Sequence, residues 1–143
     1  MKVLIYQIGL LAIILATVEL TQAMDSKELE EKAKKIGAEC VKESGISGDE
    51  SNLIMADDLE KIDEKKFTDK MKCYMLCFYK KLGIVNADGK PNVAPLIAFM
   101  EERYDHNKAK VKPAITKCGS IKDANQCEQV FKFERCIAQA IEG

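Results

Sequence analysis

Apolar residues recur with helical spacing over almost the whole chain beyond residue 24, and no stretch alternates with the two-residue period of a strand. This pattern, with its capping and stop residues, predicts six helices. Their expected ranges are Asp25 to about Ser44, Glu50 to about Ala56, about Thr68 to Leu82, the cap Asn92 to about Tyr104, roughly Lys108 to Cys118, and Asp123 to about Ala140. The third helix should be central, because apolar residues cover much of its circumference.

Glycine and proline mark the expected boundaries of these helices. Gly45 follows the first helix and Gly83 the third, and both are expected to stop them. The pair Asp88-Gly89 predicts a turn before the fourth helix. Pro113 lies inside the fifth helix and should kink it or delay its start. Residues 57–66 form a charged connection between the second and third helices.

The first 23 residues indicate the cellular compartment. Lys2 is followed by an apolar run from Val3 to Val18 and then by Thr21-Gln22-Ala23. This is the pattern of a secretory signal peptide cleaved after Ala23. A membrane anchor is the alternative, but a spanning helix needs roughly 20 apolar residues and this run is shorter. We therefore expect 1–23 to be a signal peptide and 24–143 to be a secreted, extracellular domain with no membrane span after cleavage.

The charge balance of the mature chain narrows its partners. The first 23 residues contain one lysine and one glutamate, so the net charge stays at −1 after cleavage. A near-neutral chain does not favour nucleic acid as a partner, since nucleic acid requires a basic face. Lysines in the stretch 27–35 alternate with glutamates, which indicates a solvated helix face.

All the cysteines lie in the mature part, at Cys40, Cys73, Cys77, Cys118, Cys127 and Cys136. An even number of cysteines in a secreted domain implies disulfide bonds. A zinc site is the alternative, but it requires two close pairs of ligands and often histidine. Only Cys73 and Cys77 are that close, and His106 is the single histidine. We therefore expect no metal site.

Helical geometry restricts the disulfide pairing without settling it. Cys73 and Cys77 share one face of a helix but are too far apart to bond without distorting it. Cys127 and Cys136 point to opposite sides of the last helix. These two exclusions leave ten of the fifteen possible connectivities open.

The cysteine spacing identifies a resemblance. The gaps between successive cysteines are 32, 3, 40, 8 and 8 residues, and the chain resembles the insect odorant-binding proteins, which include the pheromone-binding and general odorant-binding proteins. The segments Leu82-Gly83, Asp88-Gly89-Lys90 and Lys117-Cys118-Gly119 also fit that family. The resemblance implies an all-α fold, a six-helix disulfide-linked cage around an apolar cavity. It also implies the pairs Cys40–Cys77, Cys73–Cys127 and Cys118–Cys136.

The function implied is that of a secreted carrier, which binds odorants, pheromones or similar volatiles in an internal apolar pocket and keeps them in solution. The inward faces of the helices supply twelve candidate lining residues, rich in the adaptable side chains of Met and Phe. They are Ile36, Met55, Met75, Phe78, Leu96, Phe99, Met100, Ile115, Val130, Phe131, Phe133 and Ile137. The expected partners are a small apolar ligand and a chemosensory receptor, and the expected assembly is a monomer or weak homodimer without a cofactor.

Other functions fit the sequence less well. A hydrolase would need His106 as its base, but the polar stretch around it predicts an exposed loop, so no enzyme activity is expected. A calcium loop at residues 84–95 would place Ile84 and Pro95 where carboxylates belong. The remaining alternatives are a secreted interaction or toxin-like protein on the same scaffold, or sequestration of apolar ligands outside olfaction. The seven residues after Cys136 should finish the last helix without filling a cavity.

Overall fold

The computed structural model describes residues 26–143, which form six α-helices. These are α1 Ser26–Ser44, α2 Gly48–Ile54, α3 Asp69–Leu82, α4 Val93–Arg103, α5 Lys108–Cys118 and α6 Gln126–Glu142. Short 3-10 turns lie at Leu59–Lys61, Glu64–Lys66 and Asp105–Asn107. Within residues 26–143, no helix is long and apolar enough to cross a membrane. The all-α prediction is confirmed, whereas the expected signal peptide and the Asp25 helix start lie outside the described residues.

Two helices begin at residues other than those predicted. Helix α2 starts at Gly48 instead of Glu50, because Ser47 and Glu50 form a capping box: each side chain accepts a hydrogen bond from the other residue's backbone N–H. Helix α6 starts at Gln126 instead of Asp123. The side chain of Asn125 accepts from the backbone N–H groups of the first turn, and so the cap lies two residues later than the predicted start.

Helices α5 and α6 also differ from the sequence predictions. Helix α5 begins at Lys108 and continues across Pro113, so the proline does not delay its start. Pro113 lies on the exposed side of α5, while Val111, Ala114 and Cys118 hold the opposite side in the core. Helix α6 extends to Glu142, two residues beyond its expected end.

The predicted stops and turn are confirmed. Gly45 and Gly83 follow α1 and α3 with left-handed φ values of 66° and 77°, a region open to glycine at little cost. Gly89 has a φ of 76° in the turn before α4. The side chain of Asn86 stabilises this turn by accepting from the backbone N–H groups of Asp88 and Lys90, each at 3.0 Å.

Helix α3 is central, as its apolar circumference predicts. It packs against α1, α2 and α6, while α6 also packs against α5. The buried faces of α3 and α6 meet in one core, which includes Met75, Tyr79, Phe131 and Ile137. Of the helices that follow α3, α6 packs directly against it, and α5 packs against α4 and α6.

Three disulfides connect the helices, in the pairing that the resemblance implied. Cys40–Cys77 joins α1 to α3, Cys73–Cys127 joins α3 to α6, and Cys118–Cys136 joins α5 to α6. Their Cα atoms are 5.9, 4.7 and 5.9 Å apart. The sequence separations are 37, 54 and 18 residues, and bridges closing such loops contribute roughly 3 to 4 kcal/mol each in the chain-entropy model.

Peptide mapping of the unreduced mature protein checks this pairing. We expect three cystine-linked peptide pairs and no alkylatable thiol, since all six cysteines are bonded in the structure. A fragment linking Cys127 to Cys136 would contradict both the pairing and the placement of these residues on opposite sides of α6.

Candidate functional site

An apolar groove runs between α1, the segment after α2, and the adjoining faces of α3 and α4. It consists of two neighbouring cavities of about 410 and 420 Å³, both open to solvent, which share Glu30, Ala33 and Met55. The first is lined by Glu30, Ala33, Lys34, Gly37, Ala38, Val41, Ser51, Asn52, Met55, Tyr74 and Phe78. The second is lined by Leu29, Glu30, Ala33, Met55, Asp57, Phe99, Glu102 and Arg103.

Small residues on α1 keep the groove open. Ala33, Gly37 and Val41 are spaced four residues apart and therefore lie along one face of the helix. A Cβ atom added to Gly37 would lie 3.4 Å from the Tyr74 hydroxyl oxygen and 3.9 Å from a ring carbon of Phe78. Glycine inside a helix costs about 0.5 to 1 kcal/mol relative to alanine. At this position it leaves the space between α1 and α3 unfilled.

Aromatic rings form the wall between the groove and the core. Phe99 of α4 meets Phe78 and Tyr79 of α3 edge-on, with ring centroids 6.2 and 5.8 Å apart. Tyr74 stacks near Phe78 at 6.2 Å. Such contacts add about 0.5 to 1.5 kcal/mol each beyond area burial and fix the ring orientations. The groove therefore has one side of small residues and one side of positioned aromatic rings.

Arg103 fixes the segment that closes one end of the groove. Its Nη2 donates to the carbonyl oxygens of Met55 and Ala56 at 3.0 and 2.9 Å, and its Nε donates to Asp57 Oδ1 at 3.2 Å. Its Nη1 donates to Glu134 Oε1 at 2.5 Å. Met55 and Asp57 are thereby held at the groove from the side of α4.

Glu134 is fully buried, and its second carboxylate oxygen accepts from the Tyr79 hydroxyl. Burial, followed by the negative charge of Glu134, raises the pKa of Tyr79 well above its ordinary value. Burial is the largest single effect on Arg103 and lowers its pKa, but the negative charge of Glu134 together with Tyr79, Tyr104 and the hydrogen bond to Asp57 exceeds it, so the pKa of Arg103 is raised. Tyr79 therefore remains a donor and Arg103 remains a cation throughout the neutral range.

A second, smaller pocket lies on the other side of Tyr79. Its volume is about 50 Å³, and it is covered by the turn before α4 and by residues near the start of α6. The lining residues are Tyr79, Ile84, Val85, Gly89, Pro91, Leu96, Gly119, Ile121, Gln129, Val130 and Phe133. Ligand pockets usually measure about 300 to 1,000 Å³, so this pocket is too small for a long chain.

The twelve residues predicted to line a pocket are distributed among three places. Met55, Phe78 and Phe99 line the groove. Leu96, Val130 and Phe133 line the small pocket. The remaining six lie in the packed core or against it: Ile36, Met75, Met100, Phe131 and Ile137 are buried, and Ile115 is half-buried.

Sequence reasoning missed Gly37, Arg103 and Glu134. Glu134 had a signal, because it lies on the apolar stripe of α6 three residues after Phe131 and three before Ile137. His106 lies in the exposed 3-10 turn after α4, where its Nε2 is 2.8 Å from Glu142 Oε1. Among residues 26–143, no group of three or more His, Cys, Asp or Glu could hold a metal ion.

Comparison with known proteins gives consistent matches. The model of the PBP/GOBP family, the pheromone-binding and general odorant-binding proteins, matches residues 22–140. General odorant-binding protein 19d of Drosophila melanogaster is 29% identical over 122 residues, covering 82% of this chain and 77% of that protein. Odorant-binding protein 10 of Aedes aegypti is 25% identical over 101 residues, covering 70% of this chain and 66% of that protein.

A solved structure is also similar to this chain. It is the fatty acid binding protein OBP56a from the oral disk of the blowfly Phormia regina, with 30% sequence identity and a TM-score of 0.61. The match covers 85% of this chain and 98% of the blowfly chain.

The buried ion pair can be tested by unfolding. We expect Glu134→Gln to lower the free energy of unfolding by about 3 kcal/mol, because it leaves Arg103 buried without its main counter-ion. Urea unfolding of the oxidised protein, followed by circular dichroism, gives this difference. Glu30→Gln is the control, since it breaks only the exposed pair with Lys34 and should barely move the midpoint. Equal midpoints for Glu134→Gln and wild type would contradict the assigned role.

Proposed function

Because the chain belongs to the PBP/GOBP family of odorant-binding carriers, we propose that it is a secreted carrier that binds small hydrophobic ligands in the groove between α1 and α4. In this proposal the first 23 residues are a cleaved signal peptide and residues 24–143 are the mature carrier. Met55, Phe78 and Phe99 contact the ligand directly. The other nine predicted residues shape the core and the small pocket that support this groove.

The observation that carries the proposal is the size and lining of the groove. Each of its two cavities, at about 410 and 420 Å³, lies within the usual range for small-molecule sites. Burying a ten-carbon chain contributes roughly 8 kcal/mol. Micromolar affinity corresponds to about 8.2 kcal/mol, before the entropy of association is subtracted. Apolar burial alone therefore brings the groove close to the affinity expected of a reversible carrier.

The family and the site together favour a carrier over an enzyme. The cysteines are all in disulfides, and His106 is exposed beside Glu142, outside the groove lining. A hydrolase needs a nucleophile and a base within hydrogen-bond reach of each other. We also propose that the carrier releases its ligand to a chemosensory receptor and that it is a monomer or weak homodimer.

Gly37 provides a direct test of the groove. We expect Gly37→Leu to lower the affinity for a fluorescent apolar probe, such as N-phenyl-1-naphthylamine, at least tenfold, because the side chain enters the space between α1 and Tyr74. Gly37→Ala should reduce affinity less while raising the free energy of unfolding by about 0.5 to 1 kcal/mol.

Gly48→Leu is the matched control for this test. A Cβ atom at Gly48 meets nothing within 4 Å, and Gly48 is not among the residues that line the groove. Probe affinity should therefore match that of wild type. A folded Gly37→Leu protein that binds the probe as wild type does would place the ligand outside the groove.

The groove should change little between pH 7.4 and pH 5. A hydrogen bond from Lys34 lowers the pKa of the Glu30 carboxyl below its ordinary value of 4.5. The ion pair between Glu30 and Lys34 is therefore present at any pH above 4.5, and it is lost only when the pH falls further. Burial raises the pKa of Tyr74, which stays protonated at both values. His106 lies beside Glu142, with Nε2 2.8 Å from Oε1, and neither residue lines the groove.

We therefore expect probe affinity to fall less than about tenfold between these two pH values. A one-unit difference in the pKa of one group between the free and the probe-bound protein corresponds to about that factor. Titrations of wild type and His106→Ala at both pH values measure it. A loss of more than about a hundredfold, absent in His106→Ala, would show that the His106 contact controls release.

A further inference from the structure

The hydroxyl of Tyr74 reaches the part of the groove that a ligand would occupy. Its oxygen is the atom nearest to a Cβ placed on Gly37, at 3.4 Å, and both residues line the first of the two cavities. Only 4% of the Tyr74 surface is exposed, so the ring is enclosed while the hydroxyl meets the space that Gly37 leaves open. Covering such a hydroxyl without giving it a hydrogen-bond partner is costly, and this constrains the head group of a ligand.

A neighbouring hydroxyl sets the direction of hydrogen bonding at this point. Ser51 of α2 donates its single proton to the Gly48 carbonyl, with 2.8 Å between the two oxygens. Burial raises the pKa of Tyr74, and Ser51 opposes that rise, because it can turn its proton towards an ionised phenol. At neutral pH the phenol keeps its own proton and Ser51 keeps its bond to Gly48. Tyr74 is then the donor and Ser51 the acceptor between the two hydroxyls, and the Tyr74 oxygen presents a lone pair to the groove.

A ligand that carries a hydroxyl group fits this arrangement. Its O–H donates to the Tyr74 oxygen and extends a chain of donors that continues through Ser51 to the Gly48 carbonyl. Each bond in such a chain polarises and strengthens the next. A hydrocarbon in the same place displaces water from the Tyr74 oxygen and leaves that oxygen unpaired. An ether brings only lone pairs to a site that already presents one.

The charged groups of this cavity are paired with each other. Glu30 and Lys34 are its charged lining residues, and their side chains lie 2.6 Å apart and are 64% and 73% exposed. A charged head would therefore lose its hydration on entering the groove without meeting an unpaired counter-ion, whereas a neutral head loses less. The polar groups that distinguish one neutral ligand from another here are the hydroxyls of Tyr74 and Ser51.

We propose that Tyr74 is a specificity-determining residue of the groove and selects neutral alcohols over isomeric ethers and over hydrocarbons. The hydroxyl of the ligand lies at the Tyr74 oxygen, in the space beside Gly37, and its apolar part lies against Phe78 and Met55. This inference rests on the proposed carrier function and adds a ligand class to it.

Three ligands of ten carbons each isolate the contribution of the hydroxyl. 4-Phenyl-1-butanol and 3-phenylpropyl methyl ether are isomers, but only the alcohol has a proton to donate, and butylbenzene has no oxygen. Each ligand competes at pH 7 with the fluorescent probe, whose own affinity is measured for every variant. The ratio of the variant to the wild-type dissociation constant is then compared between ligands, because this ratio cancels their different hydrophobicities.

Tyr74→Phe removes the hydroxyl and keeps the ring. We expect the dissociation constant of the alcohol to rise about fivefold, which corresponds to a net hydrogen bond of about 1 kcal/mol. The constants of the ether and of butylbenzene should stay at the wild-type values or fall below them, because no Tyr74 oxygen has to be covered. A change in the shape of the groove would instead weaken all three ligands.

Tyr104→Phe is the matched control. It also removes one tyrosine hydroxyl, which is buried, has no hydrogen-bond partner among residues 26–143 and belongs to a residue outside the groove lining. We expect all three dissociation constants to match those of wild type.

Ser51→Ala tests the direction of the chain. Without the Ser51 oxygen as its acceptor, Tyr74 can turn its proton into the groove and donate to the ligand. We expect the ether to bind at least about twofold tighter than it binds wild type, within the range of one neutral hydrogen bond. An unchanged ether affinity would contradict the proposed chain.

Each remaining outcome separates the inference from the carrier function. If Tyr74→Phe weakens the alcohol and the ether equally, weakens all three ligands equally or weakens none, Tyr74 does not select alcohols, and the carrier function stands. An equal loss of alcohol affinity in Tyr104→Phe would overturn the assignment to the groove. If the probe does not bind wild type, or no ligand of the series displaces it, the carrier function fails and the inference fails with it.

Discussion

The placement of the groove depends on one buried carboxylate, Glu134 of α6. It accepts hydrogen bonds from Tyr79 of α3 and Arg103 of α4, and Arg103 in turn holds the segment after α2. An ion this deeply buried costs several kcal/mol if it is unpaired, and both of its oxygens here have partners. Arg103, which pairs with this buried carboxylate, therefore also positions Met55 and Asp57 at the rim of the groove.

The disulfides and this ion cluster hold different parts of the molecule. The bridges join α1, α3, α5 and α6, whereas α2 and α4 contain no cysteine. Helix α4 is held instead by Arg103 at its end and by Asn92 at its start, whose side chain donates to the Gly83 carbonyl at 2.8 Å. One wall of the groove is thus covalently fixed, while the wall that carries Phe99 depends on hydrogen bonds and charge.

Much of the fold could be predicted from the sequence, but much of the site could not. Helical periodicity shows which face of a helix is buried, and glycines after Ser44 and Leu82 show where two helices end. Periodicity does not show whether a buried face meets another side chain or an open space. Met75 and Phe78 lie on the same helix, yet Met75 is enclosed by the core and Phe78 lines the groove. Gly37, distant in sequence, faces Tyr74 and Phe78 from α1, and its missing side chain gives no periodic signal.

The openness of the groove has an energetic reason. An enclosed empty cavity costs about 24 cal/mol per Å³ of lost packing, so a dry void of 400 Å³ would cost nearly 10 kcal/mol. Small domains have only about 5 to 15 kcal/mol of net stability, and such a void would use most of it. A groove open to water avoids this cost, because water occupies the space until a ligand replaces it. The same openness leaves the charged groups at the rim, Glu30, Lys34 and Asp57, in contact with solvent, so their charges are not desolvated in the empty groove.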